Sequence, residues 1–197
     1  MVAGTARGRR LEAPAGRDTR PTLDRVREAV FNALVSLEIV DGATVLDLFA
    51  GSGAMGIEAL SRGAAHCTFV DSDRAAAVVI DRNLQTTGLA DRADVVVASA
   101  VDWAVGPGAS ARFDLVVCDP PYDTDDDRWA EVLAAIAPLT RRADGSPGVV
   151  VVESDRSVPV PERWHPLREK AYGGTIVSVL QPPDDHRTAG RRADTGA

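Results

Sequence analysis

The stretch VLDLFAGSGAMG at residues 45–56 is the feature that most constrains the fold of this chain. A short apolar run leads directly into a G-x-G-x-x-G pattern, made by Gly51, Gly53 and Gly56. This pattern is typical of a buried strand, a tight turn and a helix that together hold a nucleotide-like cofactor, because glycines let the ligand lie against the backbone. Asp71 ends the next apolar run, where such folds place a carboxylate on a ribose. A NAD-dependent oxidoreductase is therefore one interpretation.

Strand-like and helix-like patterns alternate along the rest of the chain. Apolar residues recur every three or four positions from Leu23 to Leu37, which predicts a helix over about 22–38. Apolar runs predict buried strands at 44–48, 66–70, 93–98, 113–118 and 149–152, with helices after the glycine loop to about 62, over 73–85 and around 129–136. Such an alternation predicts an α/β fold with a parallel sheet covered on both faces. The YGGTIVSVLQ run at 172–181 predicts a terminal antiparallel hairpin.

The two ends of the chain depart from this rhythm. Residues 1–21 are rich in glycine and proline and lack helical periodicity, so we expect a short arm or hairpin. The first 22 residues hold five arginines against Glu12 and Asp18, a local charge of +3 in a chain whose net charge is −7. Such an arm either binds phosphates or is simply solvated. Residues 184–197 lack large apolar side chains and are expected to be a disordered tail, which leaves 22–183 as one domain.

Several classes of protein are disfavoured by composition. No run approaches the roughly 18 uncharged apolar residues of a membrane span, and the first residues lack the apolar core of a signal peptide. We therefore expect a cytoplasmic protein with no membrane partner. Cys67 and Cys118 lie in separate apolar runs without C-x-x-C spacing or a nearby histidine cluster, so neither a metal site nor a disulfide is predicted.

Asp47 distinguishes between possible cofactors of the glycine loop. This carboxylate lies inside the predicted first strand, four residues before Gly51, where a dinucleotide-binding strand is usually apolar. A carboxylate there can accept hydrogen bonds from an ammonium group that lies over the loop. The amino acid part of S-adenosylmethionine carries such a group and NAD does not. Asp71 would accept the ribose hydroxyls of either cofactor, so it does not discriminate between them.

The CDPPYD stretch at 118–123 follows the fourth predicted strand. Ligands of open α/β sheets bind at the carboxyl ends of strands, so this stretch should face the glycine loop. Pro120 and Pro121 fix φ and remove two N–H donors, so the carboxylate of Asp119 and the neighbouring carbonyls can present acceptors rigidly. Tyr122 supplies a flat face, on which base stacking contributes on the order of 1–3 kcal/mol. Acceptors beside an aromatic ring suit the exocyclic amino group of a planar base.

Four stretches together resemble a known family. They are RPTLDRVREAVFNAL at 20–34, VLDLFAGSGAMGIEALSRGA at 45–64, FVDSDRAA at 69–76 and DLVVCDPPYD at 114–123. The family is that of the bacterial 16S ribosomal RNA guanine-N2 methyltransferases, of the guanine 966 type, and the similarity extends over about residues 4–181. The resemblance implies a Rossmann-like class I fold with a seven-stranded, mostly parallel sheet and a short N-terminal β-hairpin that grips RNA. It implies that the chain uses S-adenosylmethionine to methylate N2 of one guanine in the small ribosomal subunit or its precursor.

The resemblance also implies roles for individual residues. Asp119 and the Pro120 carbonyl would hold the amino group, Pro121 would shape the turn and Tyr122 would stack on the base. The residues expected to contact the cofactor are Asp47, Phe49, Ala50, Gly51, Ser52, Gly53 and Asp71, with Ser99 and Ala100 near the adenine. Serine at position 99 departs from the acidic residue that related enzymes often carry, so a helix-capping role for Ser99 stays open. The residues expected to bind RNA are Arg7, Arg9, Arg10, Arg17, Arg20, Thr22 and Arg25.

Other functions remain possible at this stage. D-P-P-Y also serves DNA methyltransferases that modify adenine N6 or cytosine N4, although the chain has no room for a separate target-recognition domain. Methylation at cytosine C5 needs a cysteine nucleophile, commonly in a Pro-Cys pair, and the sequence contains no such pair. An oxidoreductase and a cofactor-binding RNA chaperone without catalysis are the rivals from other classes. We expect a monomer that acts on 16S RNA within the subunit or an assembly intermediate, and DNA binding stays open as an alternative.

Overall fold

A computed structural model describes residues 1–14, 21–121 and 123–184 of the chain, with the backbone alone for 21–24. Its seven strands are β1 (Thr44–Leu48), β2 (His66–Asp71), β3 (Ala93–Val97), β4 (Leu115–Cys118), β5 (Val149–Ser154), β6 (His165–Tyr172) and β7 (Thr175–Gln181). Its five α-helices are α1 (Pro21–Ser36), α2 (Ala54–Ser61), α3 (Arg74–Thr87), α4 (Ala100–Val105) and α5 (Asp126–Ile136), and a 3₁₀ turn spans Ala90–Arg92. Every strand and helix predicted from the pattern is found, with ends that differ by a few residues.

The strands form one sheet in the order β3-β2-β1-β4-β5-β7-β6. The five strands from β1 to β5 run parallel, and β7 pairs antiparallel with both β5 and β6. The prediction of a mostly parallel sheet with an antiparallel terminal hairpin is therefore confirmed. The order of the strands reverses between β1 and β4, and ligands of such sheets bind at the carboxyl ends of the strands on either side of that point.

The core has two layers, one on each face of the sheet. The first includes Phe31 and Leu34 of α1 and Ile80 of α3, all fully buried. The second includes Trp129 and Leu133 of α5 and packs against the other face. Strand β5 is buried along its whole length, as expected for a strand that is covered on both faces.

The observed ends of three helices can be compared with the sequence pattern. Helix α3 begins after Asp73, whose side chain accepts a hydrogen bond from the backbone N–H of Ala75, and it ends at Gly88 with a φ of 72°. Helix α1 stops at Ser36, so Leu37, which was predicted to lie on its apolar face, falls in the following turn and is 44% exposed. Helix α4 was not predicted, since its six residues are too few to give a periodic pattern.

The N-terminal arm packs on helix α2 and also bonds within its own turns, where the Gly8 N–H donates to the Met1 carbonyl at 3.0 Å. Residues 1–14 form turns and contain no strand, so the predicted β-hairpin is not found in this part of the chain. The backbone N–H groups of Val2 and Ala3 donate to the carboxylate of Glu58, at 3.0 and 3.1 Å. The N–H of Ala6 donates to Ser61 Oγ at 2.9 Å. Residues 15–20 and the expected tail beyond residue 184 lie outside the described residues.

Candidate active site

The glycine loop between β1 and α2 turns by means of residues with positive φ. Phe49, Gly51 and Gly53 have φ values of 59°, 56° and 74°. Ala50 links the loop to β2, because its N–H donates to the carbonyl of Val70 at 3.2 Å while its own carbonyl accepts from Gly53 at 2.7 Å. A positive φ is uncommon for an aromatic residue and marks strain of a kind that clusters at functional sites. The loop thus holds its backbone in a strained turn beside the first strand.

Gly56 allows helix α2 to lie close to strand β2. A Cβ atom at this position would come within 2.4 Å of the Phe69 ring and 2.6 Å of the Cys67 sulfur. Both neighbours are fully buried and cannot move away easily. The third glycine of the pattern therefore serves the packing of helix on strand, as in other folds that carry this motif.

Asp47 is a buried carboxyl group beneath the glycine loop. Its side chain is only 2% exposed, and Oδ2 accepts a hydrogen bond from the N–H of Gly56 at 2.8 Å. Burial raises the pKa of Asp47 from 3.8 to about 8, against the effect of that hydrogen bond, and the nearby charges of Asp119 and Asp71 raise it further. A cation placed over the loop would counteract these effects and favour the charged carboxylate. Asp47 therefore fits the ammonium group of an amino acid ligand.

Asp71 lies where β2 ends and is hydrogen-bonded to the backbone around it. Oδ2 accepts from the N–H of Gly51 at 2.8 Å, and Oδ1 accepts from the N–H of Asp73 at 2.9 Å. The side chain thus fixes the glycine loop relative to β2. Each carboxylate oxygen can accept more than one hydrogen bond, so a role in binding ribose hydroxyls is compatible with these contacts.

The DPPY segment begins one residue beyond strand β4. Leu48 pairs with Cys118, so Asp119 follows β4 at the level where Phe49 follows β1. Asp119 and Pro121 are exposed and Pro120 is buried. The Pro121 carbonyl accepts from both the N–H and the hydroxyl of Thr124, at 3.0 and 2.7 Å, which closes the turn. Tyr122 lies outside the described residues.

Sequence reasoning missed Glu153, which the fold brings beside Asp119. Glu153 is 8% exposed and lies near the carboxyl end of β5, next to β4. Burial raises the pKa of its carboxyl group to about 8, and Asp119 adds to this while Arg27 of α1 counteracts it. The sequence did carry a signal, since an acidic residue directly after the four-valine run at 149–152 indicates a carboxylate at the carboxyl end of a buried strand. The crevice is thus lined by several carboxyl groups, which favours a cationic ligand.

The remaining predicted residues divide into two groups. Ser99 precedes α4 without a side-chain capping bond, and the N–H of Ala98 beside it donates to the carbonyl of Asp71 at 3.0 Å. Ser99 and the buried Ala100 therefore lie at the carboxyl ends of the parallel strands, as the glycine loop does. The predicted RNA-binding residues Arg7, Arg9, Arg10 and Arg25 are exposed, whereas Arg17, Arg20 and the side chain of Thr22 lie outside the described residues.

Comparison with known proteins decides the family. Residues 1–181 match the family model described as conserved hypothetical protein 95. The chain is 37% identical to ribosomal RNA small subunit methyltransferase D of Haemophilus influenzae, over 90% of each protein. It is 38% identical to the Escherichia coli protein of the same name, over 92% of this chain and 88% of that protein. This chain belongs to that family.

A solved structure agrees with the assignment to the methyltransferase D family. The structure of yhhF from Escherichia coli superposes with a TM-score of 0.78 at 35% identity, and the match covers 93% of this chain and 97% of that one. The predicted family and class I methyltransferase fold are confirmed, and the oxidoreductase interpretation of the glycine loop is removed. S-adenosylmethionine is the methyl donor of this class of enzyme. Among the described residues, no helix is long and apolar enough to cross a bilayer.

Proposed function

We propose that this chain transfers a methyl group to the exocyclic N2 amino group of one guanine in 16S ribosomal RNA. The observation that carries the proposal is the juxtaposition of a buried carboxyl group beneath a glycine loop, Asp47, with the rigid Asp119-Pro120-Pro121 turn at the neighbouring strand end. The resemblance to the guanine 966 type of methyltransferase makes guanine 966 the proposed target. We further propose that the chain acts as a cytoplasmic monomer on the small subunit or an assembly intermediate.

The cofactor site is proposed to be the glycine loop and its two flanking carboxylates. When bound, S-adenosylmethionine would supply a methyl group on a sulfonium ion. The N2 lone pair would form the new N–C bond as the S–C bond breaks to leave a neutral thioether, and N2 would lose one proton to the solvent. Asp47 would accept from the ammonium group, and Asp71 would accept from the ribose. Phe49, Ala50, Gly51, Ser52 and Gly53 would form the wall along which the methionyl part lies. Ser99 and Ala100, at the end of β3, are proposed to lie near the adenine.

The target base is proposed to be held at the DPPY turn. The carboxylate of Asp119 and the carbonyl of Pro120 would accept from the two N–H groups of the guanine amino group, and the ring of Tyr122 would stack on the base. These contacts aim the nitrogen at the methyl group, and alignment of this kind can supply roughly 7–11 kcal/mol of the barrier. Because N2 is shielded within a paired helix, the guanine must be unpaired or flipped out of its stack.

The arm is proposed to bind RNA phosphates through exposed arginines. Arg7, Arg9 and Arg10 are exposed in a segment that packs on α2, and Arg25 is exposed on α1. Arginine contacts to phosphate give affinity that falls with salt and little choice of sequence. Residues 1–21 would thus act as an RNA-gripping arm on the methyltransferase domain at 22–183.

A shallow groove between α1 and the terminal hairpin offers a second basic surface. It is lined by Ala29, Val30 and Ala33 of α1 and by Arg168, Lys170, Tyr172, Val177 and Val179 of the hairpin. Arg25 lies four residues before Ala29 and so belongs to the same stripe of the helix. The turn of the hairpin lies beside the carboxyl end of β5, because Ile176 pairs with Ser154. This groove therefore leads toward the site, and we propose that RNA follows it.

Transfer of labelled methyl from S-adenosylmethionine tests the proposal. The acceptors are small subunits that lack the modification, the RNA extracted from them, and duplex DNA, with mass spectrometry to identify the labelled base. We expect N2-methylguanine from the subunits or their RNA, and no transfer by Asp119→Ala. Label in DNA alone would favour the DNA amino-methyltransferase, and binding of cofactor and RNA without transfer would favour the chaperone.

A further inference from the structure

Asn83 of helix α3 connects the N-terminal arm to the glycine loop. Its side chain is 1% exposed. Oδ1 accepts a hydrogen bond from the backbone N–H of Glu12 at 2.8 Å, and Nδ2 donates to the carbonyl of Glu12 at 3.0 Å. Nδ2 also donates to the carbonyl of Ser52 at 2.9 Å. One buried amide thus holds the backbone of the arm and the backbone of the loop at the same time.

The chemistry of this contact requires asparagine. The amide oxygen and both amide hydrogens are used, so the buried group is fully hydrogen-bonded. An aspartate of the same shape could still accept from Glu12 but would set its carboxylate against the carbonyls of Glu12 and Ser52. Ser52 lies between Gly51 and Gly53, so a shift of its carbonyl moves the backbone along which the cofactor is proposed to lie.

The arm is anchored on both sides of its exposed arginines. Before them, Ser61 of α2 accepts from the N–H of Ala6 and donates to the carbonyl of Ala3, at 2.9 and 2.6 Å. Gly4 is needed there, since a Cβ atom would come within 1.7 Å of the Ser61 carbonyl oxygen. After them, Asn83 holds Glu12. When these arginines bind a ligand, a shift of the arm backbone between the two anchors is therefore transmitted to Asn83 through only a few residues.

We propose that Asn83 is a positioning residue that couples RNA binding by the arm to cofactor binding by the glycine loop. This inference rests on the proposed function and adds a mode of regulation to it. RNA that orders the arm would stabilise the loop in its binding geometry, and the cofactor would in turn stabilise the docked arm. Because such coupling is reciprocal, each ligand must raise the affinity for the other by the same factor.

Calorimetric titration of S-adenosylhomocysteine, with and without saturating unmodified small-subunit RNA, tests this coupling in the full chain. Coupling of this kind typically changes affinity by about 5-fold to 150-fold, and we expect at least about fivefold for the wild type. Two variants break the link from opposite sides. Asn83→Asp removes both donated hydrogen bonds, and Glu12→Pro removes the N–H that Asn83 accepts. In both we expect RNA to change the affinity by less than about twofold.

Glu12→Ala is the matched control. It loses the exposed contact between Glu12 and Arg82, 3.5 Å apart, but keeps the backbone groups that meet Asn83, so it should retain the coupling. Equal coupling in the wild type and Glu12→Pro would overturn the inference, as would a wild type in which RNA has no effect on cofactor affinity. Methyl transfer by the wild type separates the outcomes. Transfer without coupling refutes only the role of Asn83, and a wild type that binds no RNA refutes both proposals.

Discussion

Asp47→Asn should make the cofactor-free protein more stable at neutral pH while it weakens cofactor binding. In the folded chain burial holds the pKa of Asp47 at about 8, against 3.8 for an ordinary aspartate. Between these values the folded protein holds a proton that the unfolded chain has released. The free energy of unfolding therefore falls as pH rises through this window, by about 1.4 kcal/mol per pH unit for one proton. Asparagine keeps an oxygen for the N–H of Gly56 and removes the titration.

Glu153 contributes in the same way to the pH dependence of the free energy of unfolding. The informative quantity is therefore the difference in that pH dependence between the wild type and Asp47→Asn. Its pKa is also raised to about 8, and both proteins retain it. From pH 5.5 to pH 7.5 the wild type should lose about 2.5 kcal/mol more unfolding free energy than Asp47→Asn. Urea denaturation at these two pH values, without cofactor, measures this directly. Parallel pH dependence in the two proteins, with unchanged m-values, would show that Asp47 does not hold the extra proton.

Cofactor binding provides an independent check on the same carboxyl group. A cation over the loop favours the charged carboxylate, so at pH 7 the wild type should release a proton when S-adenosylmethionine binds. Calorimetry in two buffers of different ionisation enthalpy counts that proton. The count should fall by about one in Asp47→Asn, and the affinity of the variant should be lower. If Asp47→Asn released as many protons as the wild type, the proton would come from a group other than Asp47.

Three further substitutions test packing, base stacking and RNA binding. Gly56→Ala should cost about 1–3 kcal/mol of unfolding free energy because its Cβ would meet the Phe69 ring, whereas Gly174→Ala, with open space around it, should change thermal stability little. Tyr122→Ala should abolish methyl transfer yet keep cofactor affinity, and comparable turnover would remove its stacking role. Lys170→Glu should weaken RNA binding and reduce its salt dependence in filter-binding assays. The same charge change at exposed Arg112, just before the amino end of the central strand β4, should leave RNA binding unchanged. Equal effects of the two substitutions would argue against RNA binding in the groove.

The parts of the site that could be predicted from the sequence are those fixed by local pattern. The glycine loop and the DPPY turn each carry their chemistry within a few consecutive residues, and the apolar strands that position them are continuous runs. Asp47 could be identified because burying a carboxylate within an apolar strand is costly, so its presence there indicates a function. Their placement at one edge of the sheet then follows from the parallel order of the strands.

The parts that could not be predicted depend on contacts between distant segments. Glu153 owes its raised pKa first to burial and then to the charge of Asp119, which only the pairing of β5 with β4 brings near. No sequence pattern distinguishes Asn83 from other polar residues of a helix. Its role depends on contacts with Glu12 of the arm and Ser52 of the glycine loop, which only the fold brings together. The arm itself forms no hairpin among residues 1–14. Part of its backbone bonds to Glu58 and Ser61 of α2, and part bonds within its own turns, as from the Gly8 N–H to the Met1 carbonyl.

Strand β6 also bears on how the enzyme behaves at high concentration. It ends the sheet, its residues are almost all exposed, and an unpaired strand at a sheet edge can recruit a second molecule into an extended aggregate. Pro166 lacks an N–H, the pairing with β7 is irregular between Pro166 and Arg168, and charged side chains follow at 168–170. Each of these features hinders the addition of another strand. The edge that would present basic groups to RNA is thus also protected against self-association.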